Sequence, residues 1–249
     1  MPTPFSHLAI AQRLLNDEQL PARHRHALNT EQPAYLLGSV AADARIPAPN
    51  SRAATHFYTY TQAHISEVWR TMMRDNPALL RPHSPAQRAF VAGYVAHLGV
   101  DEHWSVAMLA PHFAEATWGD DIRHRFFVLH LLLADMDARD RASLPAEIAQ
   151  TLRQSQPNAW LPFMSDAILD DWRDLIANQL EQGSQTYQIL GERVGLTEEG
   201  FRALMDDDAT MHRLLWQNIA PALVREIEAG MTALARSQLC AYLEETENV

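Results

Sequence analysis

Apolar residues return every three or four positions along nearly the whole of this 249-residue chain, and the alternating, β-branched runs that mark strands are almost absent. A chain patterned this way can bury its apolar surface only by packing helix against helix, so the expected fold is all-α. At this length it can enclose a sizeable core, and one domain over residues 1–249 is expected. Thr3 before Pro4 reads as a helix start, with Phe5, Leu8, Ile10 and Leu14 facing inward as far as about Asn16. His7 then lies in the first or second turn. A second helix is read near 32–42, and Pro47 and Pro49 mark residues 45–52 as a loop with Asp43 at its mouth. Thr55 can cap the entry to the segment holding His56, with a helix following near 63–74. Ser84-Pro85-Ala86-Gln87 forms a capping box, and the helix it starts should run to about Leu109. Later helices are read near 120–139, 146–154, 166–182, 185–194, 198–205 and 209–244, with Pro221 kinking or breaking the last. No internal repeat, low-complexity tract or long linker interrupts them.

Twenty Lys and Arg against thirty-one Asp and Glu leave a formal charge of -11, which repels a polyanion and argues against long nucleic acid as a partner. The lone Cys240 cannot close an intrachain disulfide, the usage of a reducing compartment. Arg13, Asn16, Asp17 and Glu18 arrive too early for a secretory signal. The longest apolar stretch, Phe126 to Ala134, is interrupted by His130 and is far shorter than the roughly 20 residues that span a bilayer. A cytoplasmic protein without a transmembrane segment is expected. The chain also lacks a phosphate-cradling glycine loop and a Gly-x-Ser-x-Gly elbow, so neither ATP use nor serine-hydrolase chemistry is supported.

Chemistry is concentrated in the first hundred residues, where His7, Asp43, His56, His97 and Asp101 supply imidazole nitrogen and carboxylate oxygen, donors that zinc prefers. His97 and Asp101 are four apart, so on a helix they share a face and can close on one cation. Each residue alone has a plainer reading. His97 can be a core histidine bonded to Asp101, His7 a capping or solvent-facing residue, Asp43 a turn residue, and His56 a ring stacked on Phe57 or Tyr58. Phe57, Tyr58 and Tyr60 can line a substrate mouth or the edge of the core.

The stretches Pro4-Phe5-Ser6-His7, Leu36-Leu37-Gly38-Ser39-Val40-Ala41-Ala42-Asp43, Thr55-His56-Phe57 and Ala92-Gly93-Tyr94-Val95-Ala96-His97-Leu98-Gly99-Val100-Asp101 resemble the zinc-dependent phospholipase C family. The resemblance covers roughly residues 1–140; residues 141–249 complete the helical fold without a motif. It implies a fold shared with the single-strand-specific nucleases and a closely spaced zinc pair. Asp43, His56, His97 and Asp101 would hold one zinc; His7 and the bridging Asp101 would hold the other. In secreted members the N-terminal amine also ligates, a role open to Pro2 here once Met1 is removed. A third zinc would use His130, but Ala134 stands where that pattern has an acid, while Asp135 and Asp137 lie five and seven residues on. His103, His112 and His124 lack the family's spacing from Asp101. The headgroup aromatics of phosphatidylcholine hydrolases are likewise missing, with Ala44 after Asp43 and Ala53 three before His56.

The expected activity is zinc-dependent hydrolysis of phosphoric esters, with two zinc ions, or three if His130 serves, a metal-bound hydroxide as nucleophile, and Asp43 orienting that water or taking its proton. A small phosphoester or a lipid headgroup is the expected substrate. Two alternatives stand beside it: a nuclease-like phosphodiesterase on short single-stranded nucleic acid or nucleotides, and a non-catalytic, metal-stabilised binding protein.

Overall fold

The computed structural model describes residues 1–44, 52–59 and 66–247, and among them no strand forms. The all-α reading therefore holds. The helices are α1 (Pro4–Leu15), α2 (Ala22–Thr30), α3 (Gln32–Ala41), α4 (Arg52–His56), α5 (Val68–Asp75), α6 (Pro85–Trp104), α7 (Ile122–Ser143), α8 (Ile148–Arg153), α9 (Asp166–Gln182), α10 (Thr186–Arg193), α11 (Glu198–Met205), α12 (Asp208–Met211) and α13 (Pro221–Glu245). One hydrophobic cluster runs from Phe5 of α1 to Leu243 of α13. None of the described helices is long and apolar enough to cross a membrane.

The core is organised around α6. Its start is set locally: Pro85 occupies the first turn, the Ser84 hydroxyl accepts from the Gln87 N–H at 3.1 Å, and Gln87 Oε1 accepts from the His83 N–H at 2.8 Å. Every residue from Ala89 to Glu102 is buried, so this helix has no solvent face and must be enclosed on all sides. The helices α3 and α13 lie along most of it, with α1 and α5 completing the enclosure. Two adjacent acids thus enter the interior. Glu102 is satisfied by amides, accepting from the Val68 N–H at 3.2 Å and from Gln238 Nε2 at 3.1 Å, and so ties α5 and α13 to α6. Asp101 is not satisfied that way.

Backbone contact between α3 and α6 depends on two glycines. A Cβ at Gly38 would stand 1.9 Å from the Phe90 carbonyl oxygen, and one at Gly93 would stand 2.2 Å from that of Tyr35. With hydrogens there instead, the two helices approach closely enough for the Ser39 carbonyl of α3 to accept from His97 Nδ1 of α6 at 2.9 Å.

Several local readings need correction. The α-helical part of the central helix ends at Trp104, and residues 105–114 continue as a π-type segment containing Pro111. A widened turn accommodates a residue that lacks an N–H and clashes with the preceding carbonyls. The helix read over 209–244 is broken at Pro221 as expected: α12 and a π-type segment at His212–Trp216 precede it, and Pro221 begins α13, where its missing N–H costs nothing. Thr55 lies inside α4 rather than capping it, and Arg52, read as the end of a loop, opens that helix. The rest of that loop, residues 45–51, together with Tyr60 and the start of the helix read near 63–74, lies outside the described residues; α5 begins at Val68. The reading passed over α2, of whose residues only His24 and Leu28 are buried, too few to leave an apolar stripe.

Gly93→Ala is expected to destabilise the protein by at least about 1–3 kcal/mol, since backbone atoms cannot move aside as side chains do. Gly200→Ala, in α11, would meet only the Thr197 hydroxyl at 3.4 Å and should be neutral or mildly stabilising through helix propensity. Denaturant titration of the two variants checks this pair.

Candidate metal centre

Five side chains from four helical segments converge at the C-terminal half of α6. His7 comes from α1, Asp43 from the turn just after α3, His56 from the end of α4, and His97 and Asp101 from successive turns of α6. Asp101 is 0% exposed, with His97 at 1%, His7 at 2% and His56 at 3%. His7 Nε2 lies 3.4 Å from Asp101 Oδ1, while His56 Nε2 and His97 Nε2 lie 3.3 and 3.7 Å from Asp101 Oδ2. His56 Nε2 is also 3.4 Å from Asp43 Oδ1. The rings of His7 and His97 are stacked 3.7 Å apart and nearly parallel, and that of His56 stands edge-on to His97.

Burial makes this arrangement costly without a further partner. Among the described residues, Nε2 of His7, His56 and His97 and Oδ1 of Asp101 are all buried without a hydrogen bond, whereas buried polar atoms are nearly always satisfied. The outward ring nitrogens explain which way the lone pairs face. His97 Nδ1–H donates to the Ser39 carbonyl at 2.9 Å, which turns its Nε2 lone pair to the centre, and His56 Nδ1 meets the Thr55 hydroxyl at 2.9 Å, a contact that holds its Nε2 on the same side. Tyr94 supports this from below, its hydroxyl donating to the Thr55 carbonyl at 2.6 Å. Two sets of donors have atoms within 4.8 Å of one another: His7, His97 and Asp101, and Asp43, His56 and His97. Imidazole and carboxylate donors with inward lone pairs fit zinc.

Electrostatics favour ionised acids and a neutral His97 ring, and they favour protonation of His56. Burial alone would raise the Asp101 and Asp43 carboxyls, but the neighbouring histidines prevail and hold both below the usual carboxylate range; His56 and His7 touch Asp101, and His56 touches Asp43. Burial, followed by the adjacent His7, pushes His97 down to about 3. Burial also opposes protonation of His56, yet contact with Asp101 and Asp43 raises it above the ordinary 6.5.

His130 is not drawn into either group. Its Nδ1–H donates to the Phe126 carbonyl one turn back at 2.5 Å, and Asp137, the acid on its face, accepts instead from the Ser184 hydroxyl at 3.3 Å. Two features escaped the sequence reading. Arg52, four residues before His56 and so on the same face of α4, places its guanidinium on the Asp101 carboxylate; the Arg-x-x-x-His spacing was the available signal. The second is a cavity of about 600 Å³ beside the cluster, bordered by Met1, Pro2, Asp43 and Arg52 and walled by α7, α9 and α10, with apolar residues such as Leu133, Ile168 and Ile189 interspersed with the polar Gln179, Thr186 and Arg193. Trp172 of α9 fixes that wall by donating its indole N–H to the Val40 carbonyl at 2.8 Å.

A family model described as zinc dependent phospholipase C matches residues 6–179, well over half of the chain and inclusive of all five donors. No curated protein and no solved structure matches.

Zinc uptake should release protons, because the His56 ring must be neutral to ligate. The raised value of His56 means that its protonated form stabilises the metal-free protein below about pH 6.5, and that this contribution fades as pH rises through the raised value. Zinc affinity should therefore climb across the same window. Calorimetric titration in buffers of different ionisation heats reads the proton count; a pH-independent affinity from 6 to 8 would contradict the arrangement.

Proposed function

The chain belongs to the zinc-dependent phospholipase C family, and from that premise we propose that it hydrolyses phosphoric esters at the His7, Asp43, His56, His97 and Asp101 cluster, loaded with two zinc ions. The observation that carries this reading is the set of buried, unsatisfied Nε2 and Oδ1 atoms on three histidines and one aspartate. Bound there, zinc would supply Lewis acidity and bring a water's pKa towards neutrality.

The chain's own residues divide the remaining work. Asp101, fully buried and approached by three imidazoles, is suited to hold both ions together. His97 and His56 are aimed by the Ser39 carbonyl and by Thr55, which limits their freedom to rotate away. Asp43 is the exception among the donors, since its side chain keeps 21% exposure and borders the cavity. Held below the usual carboxylate range, chiefly by His56 and His97 against the effect of burial, it is a weak proton acceptor but a good hydrogen-bond acceptor. Its role is to orient the attacking water more than to carry its proton.

The cavity wall narrows the substrate. Leu133, Ile168, Ile176 and Ile189 suit an apolar portion of an organic group, and Gln179, Thr186 and Arg193 on the same wall suit its polar portion, a combination that fits an amphipathic phosphoester. The net charge of -11 disfavours a long polyanion. A second reading, a phosphodiesterase on short single-stranded nucleic acid or nucleotides, is favoured by one observation: the indole of Trp172 lines the cavity and could stack a base.

Purified protein, analysed for zinc and then offered an activated phosphodiester, tests the proposal. Turnover should disappear with a chelator and return with zinc. Asp101→Asn should lower zinc affinity and activity by more than the roughly 10–100-fold that loss of an outer-shell partner costs, while His130→Ala should change neither by more than a few fold. Release of nucleotides from short oligonucleotides in preference to cleavage of lipid diesters would favour the second reading. Zinc binding and thermal stabilisation without turnover of any phosphoester would leave a metal-stabilised binding protein.

A further inference from the structure

Arg52 contacts the same Asp101 oxygen, Oδ2, that His56 Nε2 and His97 Nε2 approach at 3.3 and 3.7 Å. A cation in that position is necessarily within reach of whatever the cluster binds. Its placement is also braced. The Tyr58 hydroxyl accepts from Arg52 Nη2 at 3.2 Å, the guanidinium carbon lies 5.5 Å from the centre of the Tyr58 ring, and Tyr58 Oη is in turn 3.1 Å from Ser105 Oγ. Tyr58 is 2% exposed, so this support is part of the core rather than of the surface. Arg52 itself is not enclosed: 26% of its side chain remains exposed, and it borders the cavity next to Asp43.

These observations identify a role that none of the five donors can fill. A phosphoryl group brings negative charge into a site whose carboxylates are ionised, and its oxygens need donors that stay charged at every working pH. Guanidinium meets that need, and its planar fork matches two phosphoryl oxygens where an ammonium offers only a point charge. Resting on the resident carboxylate with part of its surface turned to the cavity, Arg52 is set between the donor cluster and the space a substrate would occupy.

We propose that Arg52 is a catalytic, phosphate-binding residue of this centre, braced by Asp101 and Tyr58 and donating to the phosphoryl oxygens of the substrate. The proposal rests on the hydrolase reading for the identity of the ligand but not on turnover. Its test is calorimetric titration of the zinc-loaded, full-length protein with inorganic phosphate, with zinc content measured on each variant. Arg52→Gln should keep its zinc and bind phosphate at least about ten-fold more weakly, as expected for a lost charge-assisted bond. Arg52→Lys, keeping the charge without the fork, should lose several fold, and Arg74→Gln, on the exposed surface, should change little.

Phosphate affinity within two-fold of wild type in Arg52→Gln overturns the proposal. So does tighter zinc binding at unchanged phosphate affinity, which would make Arg52 only a counter-ion to Asp101. If Arg52→Gln loses zinc, Arg52→Lys decides: zinc retained with weaker phosphate binding supports the role, and either wild-type affinity or loss of zinc there as well refutes it. Wild-type protein that binds zinc and phosphate but turns over no phosphoester would refute the hydrolase reading while leaving Arg52 supported. Turnover with undiminished phosphate affinity in Arg52→Gln would refute Arg52 alone.

Discussion

An ionised carboxylate sits in the last turn of a helix that has no solvent face, and the surrounding structure is arranged around its cost. Moving such a group out of water costs several kcal/mol even after relaxation, unless charge and hydrogen bonds replace the lost hydration. For Glu102, the next residue in α6, replacement comes from an amide on each side. For Asp101 it comes from three imidazoles and a guanidinium, contributed by α1, α4 and α6. The helices that meet there are therefore fixed by electrostatics as well as by apolar packing. A centre of this composition is under-satisfied on its own and well matched to a divalent cation, which would use the lone pairs that have no other partner.

Backbone proximity is the second constraint. Without hydrogens at Gly38 and Gly93, α3 and α6 could not approach as they do. The Ser39 carbonyl would then withdraw from His97, and the turn carrying Asp43 would shift with it. Packing and chemistry are coupled at one helix contact, so a substitution that appears purely steric should also disturb the ligand geometry.

The sequence exposed the parts of this design that are local. The 3.6-residue pattern specified helices, Ser84 to Gln87 marked the start of α6, and the spacing of His97 and Asp101 placed two donors on one face. His7, Asp43 and His56 were legible by residue type and by their resemblance to known motifs, although nothing in the chain's periodicity states that α1, α3 and α4 meet. What stayed hidden is relational. Arg52 was absorbed into a proline-marked loop even though it stands one turn before His56. The apolar residues of α9 and α10 read as ordinary core because a cavity wall and a core face carry the same pattern. His130 shows the converse: the residue is conspicuous, but its ring is used by its own helix through the Phe126 carbonyl.

The donors and the cavity wall come from different stretches of the chain. The five donors lie between residues 7 and 101, whereas most of the apolar surface facing the cavity lies between 133 and 190, on helices of which α9 is tied to α3 by the Trp172 bond to the Val40 carbonyl. Reactivity and selectivity are thus written in separable text. Exchanging side chains along α9 and α10 can retune which molecules are admitted while the ion-holding scaffold stays as it is, and this makes the later third of the protein the natural place to engineer a changed preference.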